Sequence, residues 1–203
     1  MVLSRIFRLA VCAATLLFAL SFSGGVAAED LPRAFNGSFF ETSLRAGTAL
    51  SSHYDAPALT ADLGVRNSFP MYLGDTRLSY RFTAAQHDEV PLQLHGAHLT
   101  LGLHPFYLAL LSRGFVSHFL ASLHAEIGVG GVLGMFTEED ATRAAAGLSW
   151  SLGAGFDLPI TDANRGGGLW LNALYRRSWH TLPFAGDHAL FLGLAWRVNG
   201  SLF

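Results

Sequence analysis

Four histidines stand where metal chemistry could be built: His98 and His104 in one alternating stretch, His118 and His124 in the next. All four fall on the polar parity of those stretches. Imidazole nitrogen binds zinc and copper, and facing pairs beside a carboxylate would make a ligand set. If the two stretches pair antiparallel about residue 111, His98 faces His124, His104 faces His118, and Glu126 lies near Gly96. The same four residues also suit a set of interior hydrogen-bonding histidines. A second set is Ser178, His180 and Asp187, whose nucleophile, base and acid invite a hydrolase reading. Residues two apart on a strand share a face, but their β-carbons are roughly 7 Å apart, long for a direct Ser–His bond. The other reading makes them rim or interior residues.

A third set is electrostatic. Glu41, Asp62, Glu126 and Asp157 stand against Arg45, Arg66, Arg77, Arg81, Arg176 and Arg197, each set singly among Gly, Ser and Ala. Lone charges of both signs on one parity suit an enclosed ion network, because a buried charge is costly unless paired. A fourth set is acidic and lies in connections: Asp55, Asp88, Glu89, Glu138, Glu139, Asp140 and Asp187. It could hold divalent cations at a membrane rim, or be ordinary solvated loop. No phosphate loop, dinucleotide fingerprint or zinc-finger spacing occurs, so no cofactor is expected.

The elements that must position these sets show period-two alternation, the pattern of strands with two different faces. Stretches at about 38–49, 58–66, 76–84, 93–104, 117–133, 147–160, 168–180 and 188–198 read this way. In 147–160, Leu148, Trp150, Leu152, Ala154, Phe156, Leu158 and Ile160 oppose Gly147, Ser149, Ser151, Gly153, Gly155 and Asp157. Turn chemistry separates the stretches at Asn67-Ser68-Phe69-Pro70, Gln86-His87-Asp88-Glu89, Thr161-Asp162-Ala163-Asn164 and Pro183-Phe184-Ala185-Gly186-Asp187. Connections of roughly 7–10 residues are expected. "PFYLALLSRGF", 105–115, reads as a broad turn at a membrane interface or as a short amphipathic helix.

Composition decides which face points inward. Charged residues are 14% of the 203-residue chain, against about 25% in soluble domains, and mean hydropathy is +0.34. Residues 1–28 read as a cleaved secretory signal peptide, with Arg5 and Arg8, an apolar run over 9–22, and Val26-Ala27-Ala28 before the cut. Cys12 lies inside it, so residues 29–203 carry no cysteine and no disulfide framework. Past the leader no apolar run approaches the roughly 18–20 residues of a membrane helix. An apolar chain without membrane helices leaves a closed barrel as its spanning solution. Without Arg5 and Arg8 the chain has 11 basic and 15 acidic residues, no lysine and no basic run, which excludes a nucleic-acid partner.

The fold expected is all-β: a closed antiparallel up-and-down transmembrane β-barrel of eight strands over 29–203. Small residues on the polar parity suit the crowded interior of such a barrel. Phe39, Tyr80, Trp150, Phe156 and Tyr175, near strand ends, fit interfacial aromatic girdles.

On these grounds the chain resembles the small bacterial outer-membrane barrels of the OmpA/OmpX type, over essentially all of 29–203. The resemblance rests on strand pattern, leader, size and a terminal phenylalanine. It implies export to the outer membrane, lipid and lipopolysaccharide as surroundings, and a monomer with a structural or interaction role. In that class a terminal aromatic on the last strand is the recognition signal for the barrel assembly machinery, and "HALFLGLAWRVNGSLF" ends in Phe203. Its apolar parity is even whereas Phe203 is odd, so a bulge resets the phase or the strand ends near Val198. A lipid A deacylase of the small-barrel kind is the comparison for Ser178 and His180. That family places His before Ser and follows with Asn; "RRSWHT" has the reverse order and no Asn. A lipid A-modifying hydrolase and a narrow channel or small apolar-ligand transporter stand as the alternatives.

Overall fold

A computed structural model describes residues 39–69, 73–111, 115–138, 141–161, 168–182 and 186–199. The leader, its cleavage point and Phe203 lie outside the described residues. Eight strands follow in order: β1 Phe39–Leu50, β2 Ala58–Ser68, β3 Gly74–His87, β4 Val90–Leu103, β5 His124–Glu138, β6 Ala141–Pro159, β7 Gly168–His180 and β8 Asp187–Asn199. Each pairs antiparallel with its neighbours, and β8 closes on β1. No helix among the described residues is long and apolar enough to cross a membrane.

The ladder fixes the barrel geometry. Phe40 pairs Asn67, then Thr76, Leu101, Ile127, Leu152, Arg177 and His188 in turn, and His188 pairs Leu50. One circuit thus moves the register from position 40 to position 50, a shear of ten residues. Strands in such a barrel tilt by about 35–45°, and eight of them enclose a space that side chains can fill.

The two parities part cleanly. Leu44, Leu59, Leu63, Leu78, Leu99, Ile127, Val129, Leu148, Leu152, Leu190 and Trp196 face outward and are exposed; Leu59 reaches 74% and Leu148 67%. Every one of the four acids and six arginines expected inside is buried. Phe39 departs from the girdle expectation. It points inward, fully buried, with the Arg197 guanidinium 3.8 Å above its ring. Its odd position on β1 shares the parity of Glu41, and that parity faces the interior.

The interior is layered. Toward the end that carries the β1–β2, β3–β4 and β7–β8 hairpin connections it is apolar, with Leu92, Leu94, Val132, Leu174, Leu182 and Phe191 packed together beside Tyr54. Below them lies a charged layer, and toward the end that carries Phe39 and Asn199, His104 and His124 are buried.

Three connections differ from expectation. Residues 117–122 do not extend β5: Tyr107–Leu111 form a 3-10 helix and Phe115–Ser122 an α-helix, α1, so β5 starts at His124. Phe119 of α1 packs on Phe156 of β6, ring centroids 5.6 Å apart. The β3–β4 connection is only Asp88-Glu89, both with positive φ, at 50° and 65°. That is the backbone of a tight hairpin turn matched to strand twist. Finally β6 begins six residues earlier than its alternation suggests, because Ala144, Ala145 and Ala146 hide the period.

Candidate functional site

The charged layer is built by the inward parity of seven strands. At the end that carries Phe39 and Asn199, Arg197 of β8 donates from Nε and Nη2 to Glu41 Oε2 at 3.0 and 2.6 Å, and from Nη2 to Asp157 Oδ2 at 3.0 Å. Its guanidinium lies between the rings of Phe39 and Trp170, 3.8 and 3.9 Å from their centroids. Arg66 donates to Asp157 Oδ2 at 2.6 Å and to Asp75 Oδ2 at 2.7 Å, and Asn172 Nδ2 to Asp157 Oδ1 at 2.6 Å. His104 Nε2 lies 2.9 Å from Asp75 Oδ2, and its Nδ1 donates to the Ala121 carbonyl at 3.2 Å.

Halfway up, Arg77 bridges Ser43 Oγ and Asp62 Oδ1, both at 2.6 Å. Arg176 donates to Glu126 Oε1 at 2.7 Å and to Asp62 Oδ2 at 3.4 Å. The glycines on this parity leave the room: a β-carbon at Gly64 would stand 2.7–2.9 Å from the Arg77 guanidinium. Arg45 departs from the paired expectation. It is buried, yet among the described residues it makes no salt bridge, and its Nε and Nη1 have no hydrogen-bond partner.

Two acids of this layer escape a reading of the sequence by strand cores. Asp75 is the second residue of β3, two positions before Arg77 and on the same parity; extending the alternation back to Gly74 reaches it. Asp187 is not a loop residue. It is the first residue of β8, buried, 3.7 Å from Arg81. With both, six carboxylates (Glu41, Asp62, Asp75, Glu126, Asp157, Asp187) face six guanidiniums inside.

The hydrolase set does not assemble. Ser178 and Asp187 are paired across β7–β8, but the Ser178 hydroxyl accepts from Arg81 Nη1 at 2.8 Å. Neither ring nitrogen of His180 has a hydrogen-bond partner. A nucleophile needs its base within hydrogen-bond reach, and here an arginine occupies the serine instead. His180, His98, Asp187, Arg81 and Thr83 line a cavity of about 10 Å³, room for a single water.

The histidine register is also different. β4 and β5 pair His98 with Gly130 and Gly102 with Glu126, six residues from the expected alignment. His98 therefore does not face His124, and Glu126 is not near Gly96. The two that meet are His104 and His124, ring centroids 5.5 Å apart. His118 lies in α1, off the barrel interior's ladder. No three His, Cys, Asp or Glu side chains among the described residues are grouped to hold a metal ion.

The acidic connections also resolve into structure. The Asp55 carboxylate accepts from the backbone N–H of Asp88 at 3.1 Å and of Glu89 at 2.8 Å, clamping the β3–β4 turn from the neighbouring connection. Glu139 and Asp140 lie outside the described residues.

The closed eight-stranded meander with an apolar outer wall is the fold of the small outer-membrane β-barrels. Among solved structures it is similar to Ail, the attachment invasion locus protein of Yersinia pestis, with 14% identity over 80% of this chain and 99% of that chain and a TM-score of 0.50. Neisserial surface protein A aligns at 12% identity over 81% of this chain and 97% of that one, with a TM-score of 0.49. The N-terminal barrel domain of Pseudomonas aeruginosa OprF aligns at 16% identity over 77% and 96%, with a TM-score of 0.43. At such identity the likeness to Ail is one of fold. No protein-family model and no curated protein matches the chain.

Proposed function

We propose that the protein is an integral outer-membrane barrel with a structural or interaction role and an interior filled by its own side chains. The observation that carries this reading is the inversion of the two faces: leucines exposed outside, ion pairs buried inside. In water an outer wall of this kind would be an aggregation surface; against lipid it is the spanning band of a barrel. An even strand count puts Phe39 and Asn199 at one end, which we place in the periplasm, with the Asp55, Asp88 and Asp187 end outside. On this reading residues 1–28 are the export leader, Phe203 serves recognition by the assembly machinery, and the barrel works as a monomer among lipopolysaccharide.

The filled interior argues against a wide pore, and the arginine-held Ser178 against a lipid A hydrolase. Fractionation tests the proposal. Expressed from its full-length gene, the protein should be recovered in the outer membrane and migrate faster on gels unheated than boiled. Recovery in the soluble periplasm would overturn it. Planar-bilayer recording should show no large, steady conductance.

A further inference from the structure

Counting every outward position of β1 to β8 among the described residues, one carries a formal charge: Arg177. It stands on β7 between Tyr175 and Trp179, with Leu152 beside it on β6 and His188 beside it on β8. A cation on a lipid-facing wall is costly unless it reaches an interface or a partner. This one is directed rather than loose. The Arg177 guanidinium carbon lies 4.9 Å from the Trp179 ring centroid. Trp179 is two residues nearer the hairpin end, about 5 Å higher at the tilt of such barrels. Arg177 therefore reaches up its own strand toward the headgroup boundary, as long cationic side chains do in membranes. His188, its cross-strand partner, is exposed, and Tyr175 Oη binds its Nδ1 at 2.6 Å. With Nδ1 held, the free Nε2 edge of the ring is the one available to a ligand.

The opposite wall supplies a comparison. Tyr80 and His95 repeat the Tyr–His bond at 2.5 Å, and Phe82 occupies the place beside His95 that Arg177 occupies beside His188. The same frame is thus built twice, and only one copy carries a cation and an indole.

The geometry points to Arg177, His188 and Trp179 as a docking site for the phosphate of a phosphorylated glycolipid headgroup, the chemistry of lipid A. Guanidinium and imidazole N–H groups match phosphate oxygens in a charge-assisted pair, and no outward acid among the described strand positions competes for them. The inference rests on the outer-membrane reading, which puts this edge in the outer leaflet.

The test is native mass spectrometry of the purified full-length protein in detergent, titrated with bisphosphorylated lipid A. Wild type should bind it, and Arg177→Gln should weaken binding about tenfold, with Arg177→Lys recovering part of the loss. Phe82→Ala, on the opposite wall, should bind as wild type does. Lipid A stripped of its phosphates should bind wild type no better than intact lipid A binds R177Q. The inference is overturned if R177Q, recovered in the membrane and still heat-modifiable, binds as wild type does. It is equally overturned if phosphatidylglycerol shows the same dependence on Arg177, or if millimolar inorganic phosphate displaces the lipid. If wild type itself is absent from the membrane fraction, the outer-membrane reading falls and takes the site with it. Failure of the arginine dependence in an inserted barrel removes the site alone.

Discussion

Arg197 and Glu41 are Cα partners across the seam where β8 closes on β1, and two hydrogen bonds at 3.0 and 2.6 Å join their buried side chains. The last strand is thereby tied to the first by charge as well as by backbone. Removing one member leaves the other buried and short of a partner, which costs about 3–5 kcal/mol. Arg197→Gln should lower the urea midpoint of the barrel in lipid vesicles accordingly. The double variant E41Q/R197Q should lose less than the sum of the two single changes. Additive losses would mean that the pair does not act as a unit.

The Asp55 clamp on the β3–β4 turn makes a second expectation. Asp55→Ala frees two N–H groups and should destabilise by about 1–2 kcal/mol. Glu89→Gly relieves a left-handed backbone at φ 65° and should stabilise by up to about 1 kcal/mol. Both can be read from thermal loss of the fast-migrating gel species.

The close approach of Gly64 to Arg77 makes a third. Gly64→Val drives a branched side chain into the guanidinium that bridges Ser43 and Asp62. A loss of about 2–3 kcal/mol is expected, with Gly64→Ala nearer 1 kcal/mol, since a single methyl asks for less displacement. Equal tolerance of both by urea titration would mean that Arg77 relaxes freely.

Tyr54, in the β1–β2 connection, makes a pH expectation. Burial first, and then the negative charge of Asp187, holds its hydroxyl protonated above the ordinary tyrosine range. The native state keeps this proton to higher pH than the unfolded chain, whose tyrosine ionises near pH 10. Stability from this group is complete below about pH 10 and falls as pH rises past it. Tyr54→Phe should flatten the alkaline limb between pH 9 and pH 11 in urea titrations, while leaving the neutral region with a parallel slope.

Much of the fold can be read in the residues because a strand repeats every two positions. Leu148 to Leu158 announce their face without help from neighbours, and the lone arginines announce the other. Registers are different: pairing depends on where the turn falls, and nothing in "PFYLALLSRGFVSHFLASLH" marks the shift from helix to strand at His124. The apparent symmetry of four histidines about residue 111 therefore misled by six positions. Ala144-Ala145-Ala146 conceal the start of β6, since alanine is equally at home on either face. Parity puts Arg176 inside with Ser178 and His180 and so leaves Arg177 facing out, but its neighbours Leu152 and His188 come only from the register. Asp187 looks like loop because Pro183 and Gly186 precede it, yet its side chain belongs to the interior.

The central claim is that the apolar face is the outer one and meets lipid. Single-tryptophan variants in vesicles of brominated phospholipid test it most directly. Trp196 is outward and 54% exposed, whereas Trp170 is inward and fully buried. The barrel that keeps only Trp196 should lose most of its fluorescence to brominated lipid, and the barrel that keeps only Trp170 should lose almost none. Equal quenching of both, or stronger quenching of Trp170, would contradict the account.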